Sequence, residues 1–153
     1  MDGTCADFPG KAPLAIQLVF VGHRLARLIE RRLARHDYNH TQAVVVVTLA
    51  RNPGLMAQDL AGLVKVEPPS ITRALHALER RGLVARRPHP NDGRASLLQL
   101  TDRGYEAVAT ITGLMHEVSA EVEEEIPPEQ LAALRSALGP MLSRIEHLRG
   151  TDV

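Results

Sequence analysis

Residues 67–104 read EPPSITRALHALERRGLVARRPHPNDGRASLLQLTDRG, and their first half carries the signals of an amphipathic helix. Residues 67–70 are a strong helix start, because proline loses nothing in a first turn where no N–H bond is needed. Gly82 is a natural stop. The apolar stripe between these signals consists of Ile71, Leu75 and Leu78. The pattern predicts a helix over 69–81 with one buried face and one exposed face.

Two strands are predicted to follow this helix. They cover residues 83–87 and 95–100, and the prolines, Asn-Asp and glycine of 88–94 favour a turn between them. A shorter helix with one apolar face is predicted over 57–64. Two short helices joined by a tight turn and followed by a hairpin form a winged helix-turn-helix, whose second helix enters the major groove of DNA.

The apolar run at residues 43–47 is ambiguous. Its sequence, AVVVV, favours a buried strand by propensity alone. Thr41 as an N-cap and the flank at residues 52–54 allow a short buried helix instead. Periodicity does not distinguish the two, and both remain open.

Three longer segments each carry an apolar stripe at alternating steps of three and four, which predicts amphipathic helices. The stripes consist of Leu14, Leu18, Val21, Leu25 and Leu28 in the first segment, of Val108, Ile111, Met115, Val118 and Val122 in the second, and of Leu131, Leu134, Leu138, Met141, Ile145 and Leu148 in the third. The stripes can pack against one another in one chain or interlock with those of a second copy.

Start and stop signals bound these long helices. The first opens near Pro13 and fades past Leu33, the second begins after Thr101 as N-cap, and the third begins at 127–128. Gly139-Pro140 inside the third helix predicts a kink.

Length and composition exclude several classes of protein. A chain of 153 residues suits one compact domain or two small lobes. The single cysteine, Cys5, excludes a disulfide framework, and the longest apolar run, 43–49, is far shorter than the ~20 residues of a membrane helix. We expect a cytoplasmic protein. The chain has no P-loop, G-x-S-x-G, G-x-G-x-x-G or H-E-x-x-H motif, so we expect neither an enzyme nor a cofactor.

The net charge is zero, but the charge is unevenly distributed. Residues 51–94 carry eight Lys or Arg against four Asp or Glu, whereas residues 95–153 carry four against ten. A basic middle segment can focus an attractive field for DNA on one face.

Candidate DNA-reading residues lie on the exposed face of the predicted helix and on the hairpin. On the helix they are Ser70, Thr72, Arg73, His76, Ala77 and Arg80. Arginine can bond guanine through two parallel hydrogen bonds, and the N–H groups at the start of a helix attract phosphate. Arg94 at the hairpin tip suits a narrow minor groove, with Asp92 holding its guanidinium. Arg86 and Arg87 at the hairpin base suit the DNA backbone. Pairing of Arg80 or Arg81 with Glu79 is an equally good alternative.

The segments Leu78-Glu79-Arg80-Arg81-Gly82-Leu83-Val84, Asp92-Gly93-Arg94 and Leu100-Thr101-Asp102-Arg103-Gly104 resemble the signature of the MarR (multiple-antibiotic-resistance-type) regulators. The resemblance covers nearly the whole chain. It implies a mainly α (α+β) fold, a winged helix-turn-helix with long N- and C-terminal dimerisation helices. It also implies a homodimeric repressor that binds a palindromic operator and releases it when a small molecule docks.

The resemblance also assigns residues and boundaries. It implies one MarR-like domain over 1–153, with a DNA-binding lobe at 41–101 and dimerisation helices at 11–36 and 102–149. The implied DNA contacts are Ser70, Thr72, Arg73 and Arg94, with Asp92 as support. Met56 and Glu67 depart from the family, which usually has serine or threonine near these positions.

The resemblance places an effector pocket near the junction of the first, second and fifth helices, for a small aromatic or lipophilic ligand. The polar candidates there are His23, Arg24, Tyr38, His40 and His116. An ordinary interhelical hydrogen bond is the alternative for each of them.

Other functions are possible for the same architecture. A thiol-responsive regulator acting through Cys5 is one alternative, although no activating cation is evident beside this cysteine. His36 and His40 have metal-ligand spacing but straddle a helix end, and we expect no metal. A winged-helix module that binds another protein is the remaining alternative, but such a module would not need Arg94 on a wing beside Arg73 on a reading helix.

Overall fold

The computed structural model describes residues 11–151, apart from the side chains at positions 93, 94 and 151. The elements are α1 (Leu14–Ala34), α2 (His40–Arg51), α3 (Ala57–Val64), α4 (Pro68–Arg80), β1 (Val84–His89), β2 (Asp92–Leu100), α5 (Asp102–Glu123) and α6 (Pro128–Thr151). Two antiparallel strands form the sheet. The predicted class, mainly α with a winged helix-turn-helix, is confirmed. Within the described part of the chain, no helix has the length and apolarity that a membrane crossing requires.

The chain divides into two compact units, and the boundary between His116 and Glu117 falls inside α5. The first unit contains the winged helix-turn-helix together with α1 and the part of α5 up to His116. Its buried core draws on α1, α2, α3, α4, both strands and α5, with Val45, Leu60 and Leu75 at 0% exposure.

The ambiguous run at residues 43–47 is helical and lies inside α2. Its N-cap is Asn39, so the expectation of a cap at Thr41 was wrong. The Asn39 side chain accepts a hydrogen bond from the Gln42 N–H (2.9 Å), and the Gln42 side chain accepts one from the Asn39 N–H (3.1 Å). This reciprocal capping box satisfies donors that a helix start otherwise leaves open, and it starts α2 two residues before the expected position.

The helix predicted over 69–81 is α4, and its burial pattern is as expected. Ile71, Leu75 and Leu78 are buried, together with Ala74. At its C-terminal end the Leu83 N–H bonds to the Leu78 carbonyl (2.9 Å) and the Gly82 N–H to the Glu79 carbonyl (2.9 Å), with Gly82 at φ +67°. This is a Schellman motif, and the positive φ explains why glycine stands at the helix stop.

Thr101 joins the end of the β1–β2 hairpin, called the wing, to the end of α4. Its hydroxyl donates to the Gly82 carbonyl (2.6 Å) and accepts from the Gly104 N–H (3.1 Å), while its own N–H bonds to the Leu83 carbonyl (3.1 Å). Thr101 is therefore the N-cap of α5, as predicted, and it also fixes the base of the hairpin. Gly104 packs so closely on this junction that an added Cβ would overlap the Leu83 carbonyl oxygen.

The hairpin is longer and its turn tighter than predicted. β1 runs to His89 and β2 begins at Asp92, so part of the turn expected at 88–94 is strand. Pro88 pairs with Ser96, and the register shifts between Pro88 and His89. Proline has no N–H to offer a neighbouring strand and is tolerated at sheet edges and irregularities, which is why it did not end β1. β2 has a second neighbour, because the Leu98 N–H bonds to the Leu55 carbonyl (2.8 Å) and the Leu98 carbonyl accepts from Gly54 (3.2 Å).

The second unit consists of the end of α5 and α6. Glu123 accepts hydrogen bonds from the Ser119 hydroxyl (2.7 Å) and from Arg135 (2.8 Å), and these bonds lower the pKa of its carboxyl group. α6 begins at the predicted proline pair and continues as helix through Pro140. The bend expected at Gly139-Pro140 stays a prediction.

Candidate nucleic-acid interface

The outward face of α4 presents polar side chains in a row. Thr72, Arg73, His76 and Arg80 are exposed, Ala77 and Ser70 are half-buried, and the opposite face of the helix is buried. The predicted reading residues of α4 therefore share one side of a helix whose other side is fixed in the core. A helix in this arrangement can lie in a DNA major groove with its side chains directed at base edges.

Arg73 is held near the start of the helix. Its guanidinium donates to the Ser70 hydroxyl (3.2 Å), one turn away. Because side chains three residues apart are neighbours on a helix surface, this bond restricts the arginine without burying it. The arrangement leaves further guanidinium N–H groups for an acceptor such as guanine or phosphate.

The first turn of α4 offers fewer backbone donors than expected. Pro68 and Pro69 have no N–H, and the Ser70 N–H is bonded to the Glu67 carbonyl (2.9 Å). The Thr72 hydroxyl donates to the Pro68 carbonyl (3.0 Å), and the Glu67 side chain does not cap the helix. The expectation that this turn presents free N–H groups to phosphate was therefore wrong. At α3, Met56 likewise provides no side-chain cap.

Arg86 connects α4 to both strands of the wing. It donates to the Glu79 carboxylate (2.6 Å) and to the Ser96 hydroxyl (3.2 Å). Glu79 is thus paired with Arg86, rather than with Arg80 or Arg81 as the sequence suggested. The pair is partly exposed, so its effect is to orient the wing more than to stabilise the fold. Arg87, next to it, is exposed.

Arg94 is the third residue of β2 and not at the hairpin tip as predicted, and its side chain is outside the described residues. Asp92, its expected support, is exposed at the start of β2. The minor-groove role of Arg94 and the supporting role of Asp92 stay predictions.

Arg81 has a role that sequence reasoning missed. It donates to the backbone carbonyl of Asp37 (2.6 Å), and its guanidinium carbon lies 4.3 Å from the centroid of the Tyr38 ring. The partners are more than forty residues away in the chain, so no local pattern could have indicated the contact.

Comparison with known proteins covers most of the chain. The family model described as MarR family matches residues 38–96. An HTH-type transcriptional regulator of Mycobacterium tuberculosis is 32% identical over 135 residues, which are 88% of this chain and 94% of that protein. The chain belongs to the MarR family. It is a DNA-binding transcriptional regulator with a winged-helix fold.

Solved MarR structures agree with this assignment. The crystal structure of a cysteine-to-serine mutant of MarR from E. coli matches with a TM-score of 0.78 at 25% identity, covering 86% of this chain and 97% of that one. The same mutant complexed with operator DNA matches with a TM-score of 0.73 at 25% identity, covering 88% and 97%.

The residues proposed for a MarR effector pocket lie on α1, α2 and α5 and in the turn between α1 and α2. His23, Arg24 and His116 are exposed on α1 and α5, His40 is exposed at the start of α2, and Tyr38 is buried beside Arg81. An open surface groove of about 500 Å³ is lined by Arg24, Arg27, Glu30, Arg31 and Ala34 of α1. Arg24, which lies 5.0 Å from the Phe20 ring centroid, is the one member of the five found there. The effector pocket of this MarR regulator stays a prediction.

A redox-active thiol and a bound metal ion are the two alternatives to a small-molecule effector in a MarR regulator. Cys5 lies outside the described residues. His36 follows the end of α1 and His40 opens α2, so they do not share one helix face. In the part of the chain with described side chains, no group of three or more His, Cys, Asp or Glu is arranged to hold a metal ion.

Proposed function

We propose that this protein is a homodimeric repressor that binds a palindromic operator through α4 and the wing and releases it on binding a small aromatic or lipophilic effector. One observation carries the DNA-binding part of this proposal. The buried face of α4 leaves Thr72, Arg73, His76 and Arg80 directed outward, beside a hairpin that is joined to the same helix by Arg86.

The dimer is supported by apolar side chains that remain exposed in one chain. On α6 they are Leu134, Leu138, Leu142, Ile145 and Leu148, and on α1 they are Leu14, Ile16, Val19 and Val21. The five side chains of α6 follow one face of that helix, and exposed apolar surface of this kind usually marks a protein interface. In this proposal 11–36 and 102–149 are the dimerisation helices and 41–101 is the DNA-binding lobe.

Two copies related by a two-fold axis would place their reading helices about one turn of DNA apart, ~34–36 Å, so the operator is an inverted repeat. Support also comes from the fold shared with a MarR mutant of E. coli that was crystallised with operator DNA. The effector would contact His23, Arg24, Tyr38, His40 and His116.

Operator binding is tested with a duplex that the wild-type protein enriches from a random library, measured by fluorescence anisotropy at two salt concentrations. Specific binding is expected to exceed binding to an unrelated duplex by ~10³ or more. No enrichment, with equal weak binding to all duplexes, would contradict the proposal and favour the protein-binding alternative.

Replacing Arg73 and Arg94 separately with alanine is expected to have different consequences. Arg73→Ala should weaken operator binding by ~1–3 kcal/mol and relax the preference at one base position, because a base contact is lost. Arg94→Ala should weaken binding to many sequences and make the salt dependence shallower, because a minor-groove cation responds to shape and charge. The measurement is anisotropy on the enriched duplex and its single-base variants.

Arg31→Ala is the matched control, because it removes one exposed arginine from α1. It is expected to bind as the wild type does. Unchanged affinity in both Arg73→Ala and Arg94→Ala, with folding intact, would show that this face does not read DNA.

A further inference from the structure

Arg81 lies at the C-terminal end of α4. There it contacts the turn at residues 35–39, which is called the α1–α2 corner. It is the C-cap of α4 and is half-buried. Its Nη1 donates to the Asp37 carbonyl (2.6 Å), and its guanidinium carbon lies 4.3 Å from the Tyr38 ring centroid. Stacking on the Tyr38 ring fixes the distance between the guanidinium and the ring. The hydrogen bond at the edge of the guanidinium fixes its orientation.

The partners of Arg81 are themselves fixed. Asp37 has φ +59°, and the Tyr38 N–H bonds to the Leu33 carbonyl (3.1 Å) as the last turn of α1 closes. Tyr38 is 8% exposed and belongs to the main core. The acceptor is a backbone oxygen in a closed turn and the ring is packed in the core, so neither can follow Arg81 if α4 shifts.

Because Arg81 lies at one end of α4, its contact can affect the orientation of the DNA-facing side chains along the helix. Arg81 follows Arg73 by eight residues, about 12 Å along the helix axis. The core residues Leu75 and Leu78 lie between them. A small roll of the helix at its C-terminal end would therefore redirect Arg73 at the other end, where misplacement costs specific hydrogen bonds.

We propose that Arg81 and Tyr38 are positioning residues for operator recognition, which set the roll of α4 against the α1–α2 corner without touching DNA. The inference rests on the proposed function, since it concerns how α4 is aimed. The rival explanation is that Arg81 is one more arginine that contacts phosphate. The two differ in salt dependence, because a lost phosphate contact lowers the salt slope by about 0.9 for B-DNA, whereas a lost positioning contact leaves it unchanged.

The test compares Arg81→Met, Tyr38→Leu and the double variant on the enriched duplex and on an unrelated duplex, each at several salt concentrations. Both single variants are expected to bind the enriched duplex roughly tenfold more weakly. Binding to the unrelated duplex and the salt slope should stay as in the wild type. The double variant should lose no more than the larger single loss, because both changes break one contact.

Matched variants separate the explanations further. Arg80→Met removes the neighbouring exposed arginine and should lower the salt slope and weaken binding to both duplexes if Arg80 contacts DNA. Tyr38→Phe keeps the ring face, and in the absence of any effector it should bind the enriched duplex as the wild type does. Arg81→Lys keeps the charge. It is used in place of Arg81→Met if Arg81→Met unfolds below the assay temperature. If Arg81 has the positioning role, Arg81→Lys should weaken binding to the enriched duplex only. If Arg81 contacts phosphate, Arg81→Lys should bind DNA nearly as tightly as the wild type does.

Each outcome bears on one conclusion. A wild-type protein that enriches no sequence overturns the proposed function itself. Specific wild-type binding with a shallower salt slope in Arg81→Met, or with no loss in Tyr38→Leu, overturns the positioning role and leaves the proposed function standing. The positioning role is supported if Arg81→Met and Tyr38→Leu both bind the enriched duplex more weakly while their salt slopes stay as in the wild type.

Discussion

Replacing both Leu134 and Leu138 with glutamate is expected to yield unstable monomers that no longer bind operator DNA. The two side chains are 45% and 46% exposed in the single chain and lie on the apolar stripe of α6. In a dimer they would be buried, and an unpaired carboxylate there has no partner to offset its lost hydration. Losing one of two linked half-sites should weaken operator binding by ~10²-fold or more.

Sedimentation and anisotropy on the enriched duplex measure these effects. The matched control is the pair Ser136→Glu and Ser143→Glu, which adds two charges to the opposite face of the same helix. The control should sediment and bind as the wild type does. A wild-type protein that sediments as a folded monomer would refute the dimer.

Gly104→Ala is expected to destabilise the fold by about 3 kcal/mol, the upper end of over-packing costs. The added methyl group would overlap the Leu83 carbonyl oxygen and come within 3.1 Å of two Leu100 carbons. The obstructing oxygen belongs to the backbone and already accepts the Thr101 N–H, so it cannot rotate aside as a flexible side chain would. Denaturant unfolding at a fixed protein concentration measures the change.

Gly113→Ala is the control in the same helix. Nothing lies within 4 Å of the Cβ it would add, so the ordinary helix preference for alanine should stabilise the protein by about 1 kcal/mol. The two substitutions are therefore expected to have opposite signs. A Gly104→Ala protein as stable as the wild type would contradict the close packing of α5 on the wing.

Local signals explain what the sequence could predict. α4 was correctly placed because its proline start, its apolar stripe and Gly82 all lie within sixteen residues and agree. The Thr101 cap was correct for the same reason. The strand or helix question at residues 43–47 stayed open because a short apolar run has no distinctive period. The spacing of Asn39 and Gln42 is a capping-box pattern, which is the local signal that a helix begins at residue 40.

Contacts between distant segments explain what the sequence could not predict. Arg86, Glu79 and Ser96 carry no sign that they meet, and Arg81 has none pointing to Tyr38. Arginines of α4, its C-cap and β1 that look equivalent in the sequence thus have different roles. Arg81 and Arg86 are bonded to distant parts of the protein, while Arg73 and Arg80 face outward. Only packing assigns these tasks.

The strand pairing of the wing also affects how the protein behaves at high concentration. Unpaired strand edges invite edge-to-edge aggregation. Here β2 is paired with β1 on one side and is bonded to Gly54 and Leu55 on the other at Leu98. The outer strand β1 carries Arg86, Arg87 and Pro88, and both like charges and proline discourage a foreign strand from adding. A hairpin that, in the proposed function, must stay exposed to reach DNA is thereby protected from self-association.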